Sequence, residues 1–130
     1  MKLLIVDDNK NIRDGIKNIL RTKYRIEITE ADNGMAALNM AIEENYDILL
    51  IDITMPIMDG IEATKYIIKM KPATIIVGLY LDFDRDKIVI MEKNGAKKCL
   101  YKGDLDLLVL EKVFHELLNK PPRKMKSILI

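Results

Sequence analysis

The sequence predicts a doubly wound α/β fold, a five-stranded parallel sheet with five crossover helices. Three observations carry this expectation. Five short apolar runs recur along the chain, each followed by a stretch with helical spacing. Two of them, Leu3-Leu4-Ile5-Val6 and Tyr46-Asp47-Ile48-Leu49-Leu50-Ile51, are almost continuously apolar, as strands covered on both faces are. At 130 residues and 49% hydrophobic content, the chain has the size of one domain and can bury a core without disulfide or metal staples.

The first strand is expected at about Lys2 to Val6. Asn9 then suits an N-cap before the helical face Ile12, Ile16, Ile19 and Leu20. The second strand, Arg25 to Thr29, alternates apolar and polar residues and reads as an edge strand; Ala37, Leu38, Ala41 and Ile42 form the helix stripe after it. The third strand is followed by Ile61, Thr64, Ile67 and Ile68, the weakest stripe because a threonine interrupts it. The fourth strand runs from Thr74 to Tyr80, and Gly95 ends the helix behind it. The fifth, Lys97 to Tyr101, precedes the stripe Leu107, Leu110, Val113, Phe114 and Leu117. Residues 1–119 thus form one domain, and Pro121-Pro122 opens a tail or linker stub over residues 120–130. Five such units can wind into the flavodoxin-like order 2-1-3-4-5, which places strands one and three side by side at the switch point.

Composition narrows the function. Lys plus Arg number 21 against 20 Asp plus Glu, so there is no basic field for nucleic acid, and no direct nucleic-acid binding is expected. The single cysteine, Cys99, rules out an internal disulfide and a cysteine-based zinc site. No apolar stretch approaches the ~18 residues of a membrane span, and the first apolar run stops at Asp7, unlike a signal peptide. The expectation is a soluble cytoplasmic chain.

The chemistry concentrates at strand ends. Asp7 and Asp8 close the first strand, Asp52 closes the third, and Lys102 follows the fifth. In open α/β sheets the crevice outside the carboxyl ends of the strands binds the ligand, and the 2-1-3-4-5 order brings these residues together there. Three confined carboxylates raise one another's pKa unless a cation joins them. Magnesium prefers such oxygen ligands, and no histidine or thiol lies in these motifs to favour zinc. A carboxylate can attack phosphorus to form an aspartyl phosphate, with a lysine supplying charge for the phosphoryl oxygens. Asp52 is therefore the candidate nucleophile, Asp7, Asp8 and Asp52 the candidate metal ligands, and Lys102 the phosphate clamp. Single aspartates at such places are often helix caps or turn residues; the joint arrangement is not explained that way.

These residues together resemble the receiver domain of two-component response regulators, from Lys2 to about Asn119. The motifs that carry the likeness are Val6-Asp7-Asp8, Asp52-Ile53-Thr54-Met55-Pro56-Ile57-Met58-Asp59-Gly60, Asn94-Gly95-Ala96 and Lys102. The resemblance implies that Asp52 is the phospho-acceptor, that Asp7, Asp8, Asp52 and the Thr54 backbone carbonyl hold Mg2+, and that Lys102 contacts the phosphoryl group. It implies a sensor histidine kinase as donor, and an output domain, a downstream protein or a second copy of the chain as further partners. The chain would be a signalling domain with self-catalysed phosphotransfer rather than a general enzyme.

Two positions depart from the pattern. At the family's usual spacing, Tyr80 stands where receivers carry Ser or Thr, and Cys99 stands where they carry an aromatic ring. Both switch positions are thus altered, and Tyr80 is a candidate to fill the space that the missing ring leaves. Lys102-Gly103 replaces a lysine-proline pair, which argues against a cis bond there. Two other readings stay open at this point: a degenerate receiver used as a phosphorylation-independent binding or dimerisation module, and a small magnesium phosphohydrolase.

Overall fold

A computed structural model describes residues 1–125 and bears out the doubly wound sheet. The elements are β1 (Lys2–Val6), α1 (Lys10–Arg21), β2 (Tyr24–Arg25), β3 (Glu27–Ala31), α2 (Gly34–Glu43), β4 (Ile48–Asp52), α3 (Gly60–Met70), β5 (Ile75–Tyr80), α4 (Arg85–Lys93), β6 (Lys98–Tyr101), a 3-10 turn (Lys102–Asp104), α5 (Leu107–Leu117) and β7 (Arg123–Lys124). The main sheet has the order β3-β1-β4-β5-β6, all parallel. This is the expected 2-1-3-4-5 order once β3 is counted as the second strand. No helix among the described residues is long and apolar enough to cross a membrane.

The continuous apolar runs are central because both their faces are covered. Leu3, Ile5, Ile48, Leu50, Val77 and Leu79 pack against Ile16 and Leu20 of α1 and Leu110, Val113 and Phe114 of α5. Leu4, Val6, Leu49, Ile51 and Ile76 pack on the other side, against Ala37 and Ala41 of α2, Ala63 and Ile67 of α3 and Met91 of α4. Alternate residues of one strand thus feed two cores. Each fully buried Leu or Ile contributes about 1.5–3 kcal/mol of burial free energy, so the strands that carry the acids are the most firmly held.

The structure moves several expected features. The second strand divides at Ile26: Glu27–Ala31 joins the main sheet with Glu27 opposite Lys2, while Tyr24–Arg25 pairs antiparallel with Arg123–Lys124. The alternating pattern is the same on either side of Ile26, so periodicity could not reveal a strand that changes sheets. Residues 123–125 consequently turn back onto the domain, with the Met125 N–H donating to the Lys23 carbonyl at 2.7 Å. The remainder of the expected tail, residues 126–130, lies outside the described residues. Thr64 does not interrupt its stripe; it is fully buried, with Oγ1 3.5 Å from Met91 Sδ. Ile42 is exposed, because α2 buries its small residues Gly34, Ala37 and Ala41 instead. Gly95 follows α4 with φ +127°, and a Cβ there would approach Ile68 Cγ1 to 2.7 Å, so both conformation and space require glycine.

Candidate functional site

The parallel register sets the site before any side chain is considered. Val6 lies opposite Ile51, so Asp7 and Asp52, one residue further along neighbouring strands, leave the sheet together at its carboxyl edge. Asp7 is fully buried although it lines the cleft. Its N–H donates to the Ala31 carbonyl at 3.1 Å, its Oδ1 accepts the Asn9 N–H at 2.8 Å, and its own carbonyl accepts Arg13 Nη1 at 2.6 Å. Arg13 is anchored in turn by Glu30 at 3.0 Å. Asp52 is 5% exposed and its Oδ1 accepts the Thr54 N–H at 3.3 Å. Asp8 is exposed beside them, and ligand oxygens of Asp7, Asp8 and Asp52 lie within 4.8 Å of one another.

Lys102 enters from the turn after β6. Its Nζ stands 2.7 Å from Asp7 Oδ2 and 3.1 Å from Asp52 Oδ2, with only 7% of the side chain exposed. The ammonium at 2.7 Å is the charge partner of the buried Asp7 Oδ2. Burial pushes the Asp52 carboxyl up to about 6, and the Asp7 charge adds to the rise; Lys102 and the Thr54 N–H oppose it without cancelling it. Burial alone would lower the Lys102 ammonium, but Asp7 and Asp52 outweigh it and hold the group above its ordinary value.

One ammonium against three acids leaves about two negative charges when all are ionised. The raised Asp52 and the all-oxygen donor set of Asp7, Asp8 and Asp52 within 4.8 Å of one another fit a hard divalent cation. The sequence-predicted acids and lysine thus converge as expected, on the wall of a cleft of about 500 Å3. Gly60 makes their approach to α3 feasible: a Cβ there would stand 2.2 Å from the Asp52 carbonyl oxygen, and the Gly60 N–H donates to the Ile53 carbonyl at 2.9 Å.

The two departing positions lie nearby, on adjacent strands β5 and β6. Tyr80 ends β5 opposite Tyr101, with ring centroids 5.8 Å apart, and Phe83 meets Tyr80 edge-on at 6.1 Å. Cys99 lies opposite Gly78 instead, with its thiol pushed up to about 11 by burial and by Glu92, a neutral packing group at ordinary pH. Sequence reasoning missed Tyr101, Phe83, Arg13 and Lys87 at this end of the sheet. Tyr101 carried a readable signal, since it and Tyr80 are both the last residues of adjacent strands. Lys87 carried none, because the face of α4 was undefined; its Nζ reaches Thr54 Oγ1 at 3.5 Å across the cleft.

Comparison with known proteins agrees with this geometry. Residues 3–111 match the family model of the response regulator receiver domain. The chain is 37% identical over 115 residues to the chemotaxis protein CheY of Listeria monocytogenes, covering 86% of this chain and 97% of that protein. It is 31% identical over 111 residues to the transcriptional regulatory protein DegU of Brevibacillus brevis, covering 84% of this chain but 47% of that one. Among solved structures, the CheY-like receiver domain from Methanospirillum hungatei superposes with a TM-score of 0.82 at 27% identity, covering 89% of this chain and 92% of the other. The response regulator domain of Thermotoga maritima CheB does so with a TM-score of 0.79, also at 27% identity, over 94% and 98%. The chain belongs to the response regulator receiver domain family, the signalling domains of two-component systems.

Proposed function

We propose that this receiver accepts a phosphoryl group on Asp52 from a sensor histidine kinase in a magnesium-dependent reaction. The observation that carries the reading is the buried Asp52 carboxylate, with the Lys102 ammonium 3.1 Å from Oδ2 at the mouth of an acidic cleft. An Asp52 oxygen attacks the phosphorus of the donor phosphohistidine. The P–O bond forms as the P–N bond breaks, and the electron pair departs on the imidazole nitrogen, which takes a proton from solvent. Asp52 must be ionised to attack. Lys102 stands where it would meet oxygens of the transferred group. Asp7, Asp8, Asp52 and the Thr54 backbone carbonyl would hold Mg2+, which supplies charge to neutralise the carboxylates and the phosphoryl oxygens.

Phosphorylation adds charge at the cleft, which is lined by Tyr80 at the end of β5, by Lys87 and Ile88 of α4 and by Lys102 in the turn after β6, so β5, α4 and β6 are the elements whose surface it would bias. Tyr80 and Cys99 make that response atypical: a tyrosine hydroxyl cannot reach the point that a serine or threonine reaches from the same backbone position. The test is intact mass after incubation with Mg2+ and acetyl phosphate. Wild type gains one labile phosphoryl group and Asp52→Asn gains none. Absence of the adduct on wild type overturns the reading and leaves a phosphorylation-independent binding module in its place.

A further inference from the structure

Lys87 belongs to the first turn of α4, where Asp84 caps the helix by accepting the Lys87 N–H at 3.2 Å. Its side chain crosses the cleft to Thr54 Oγ1 at 3.5 Å, and Thr54 is the residue whose N–H meets Asp52 Oδ1. Lys87 and Lys102 are the two cations among the lining residues. Their situations differ. Lys102 is buried and already committed to Asp7 and Asp52, whereas Lys87 is exposed and, among the described residues, forms no ion pair within 4.0 Å. A long contact to a neutral hydroxyl is a weak use of an ammonium, and a charge-assisted bond to a phosphoryl oxygen is roughly twice as strong as a neutral one.

A phosphoryl group on Asp52 brings about −1.5 to −2 charge into a cleft already lined by Asp7, Asp8, Asp82 and Asp84. Beside the Mg2+ that the proposed reaction requires, Lys102 is already committed to two carboxylates, so a further cation at the cleft has a phosphoryl oxygen to meet. Resting on the reading of Asp52 as acceptor, we propose that Lys87 is a second cationic contact for the phosphoryl group, reached by a side-chain shift from Thr54 Oγ1. The flexible four-carbon stem allows the shift without movement of the helix. The contact would also tie the first turn of α4 to the phosphorylation state, giving the site a link to the adjacent surface that does not pass through Tyr80 or Cys99.

The test titrates beryllofluoride, a phosphoryl analogue, into wild type, Lys87→Ala and Lys87→Arg in excess Mg2+, followed by NMR. Lys87→Ala is expected to lose about tenfold in affinity, and Lys87→Arg to retain most of it. Mg2+ affinity measured without beryllofluoride is the second readout. It stays the same or tightens in Lys87→Ala, since a cation has been removed from the neighbourhood, whereas general damage to the fold would weaken both. Undiminished beryllofluoride affinity in Lys87→Ala overturns the inference and leaves Asp52 untouched. Wild type that takes neither beryllofluoride nor phosphate overturns both.

Discussion

Lys102 Nζ lies 2.7 Å from Asp7 Oδ2, and both groups are buried. The same ammonium is 3.1 Å from Asp52, so one cation restrains two carboxylates. Removing it leaves both acids facing each other without compensation. Lys102→Ala should therefore cost about 3 kcal/mol of stability at pH 8 without divalent cation, the usual scale for breaking a buried pair. The loss should shrink at pH 5, where Asp52 can take a proton. Urea unfolding at the two pH values measures it.

Asp52 itself opposes folding in the cation-free protein. Its pKa rises from 3.8 to about 6, so the folded state holds this proton more tightly than the unfolded chain does. The group's contribution is most favourable below 3.8 and declines as pH rises through 6, with about 3 kcal/mol lost above that point. Glu30, whose carboxyl is held low chiefly by Lys17, has the opposite slope, with stability present above its ordinary value of 4.5 and lost as pH falls, so it adds little to a comparison of pH 5 with pH 8. The cation-free protein should melt at a higher temperature at pH 5 than at pH 8. Mg2+ should narrow the gap and Asp52→Asn should remove it; equal melting temperatures for the cation-free wild type would contradict the geometry.

Two glycines separate space from propensity. In Gly60→Ala the new methyl would stand 2.2 Å from the Asp52 carbonyl oxygen, so backbone must move at the site. The expected cost is roughly 2 kcal/mol or more, together with weakened Mg2+ binding. Gly15, exposed in α1 with nothing within 4 Å of its would-be Cβ, behaves oppositely. Gly15→Ala should gain about 0.5–1 kcal/mol and leave Mg2+ binding alone. Paired melts and metal titrations distinguish the two.

Strand centres were legible because burial on both faces leaves a continuous apolar run, and the acids were legible because charge is conspicuous at the end of such a run. What escaped was anything set by contacts between distant segments. The change of sheet at Ile26 depends on residues 123–124, and the burial of Thr64 depends on Met91. Lys87 and Arg13 reach the site through long side chains from helix faces, and spacing along the sequence does not encode that reach.

Ile57 carries strain that can be relieved. It has φ 71°, a conformation that a β-branched residue rarely adopts, and the Met58 N–H closes the turn onto the Pro56 carbonyl at 2.8 Å. The side chain is 82% exposed, so little packing compensates. Ile57→Asn should therefore stabilise the fold by about 1 kcal/mol, since asparagine tolerates positive φ. If Asp52 phosphorylation is unchanged, the strain is a cost of turn geometry; a slower reaction would show that the loop's rigid shape serves the site.

Tyr80 was expected to replace a ring missing at position 99, which would couple it energetically to Cys99. The structure gives its ring a cross-strand partner at Tyr101, with Cys99 a diagonal neighbour on the same face of the sheet. Cys99 faces Gly78, and Tyr80 faces Tyr101 with centroids 5.8 Å apart and planes tilted by 38°. Aromatic pairs of this kind contribute about 0.5–1.5 kcal/mol beyond their buried area. A double-mutant cycle with Tyr80→Leu and Tyr101→Leu should give a coupling energy in that range, while Tyr80→Leu with Cys99→Ala, a diagonal pair on the same sheet face, should couple more weakly. Stability is the first readout and the rate of Asp52 phosphorylation the second. Strong coupling to Cys99 with none to Tyr101 would restore the exchange. The expected result places the aromatic contact two residues further along β6, next to Lys102, where a change in the Tyr80 ring is felt at the phosphate-facing turn.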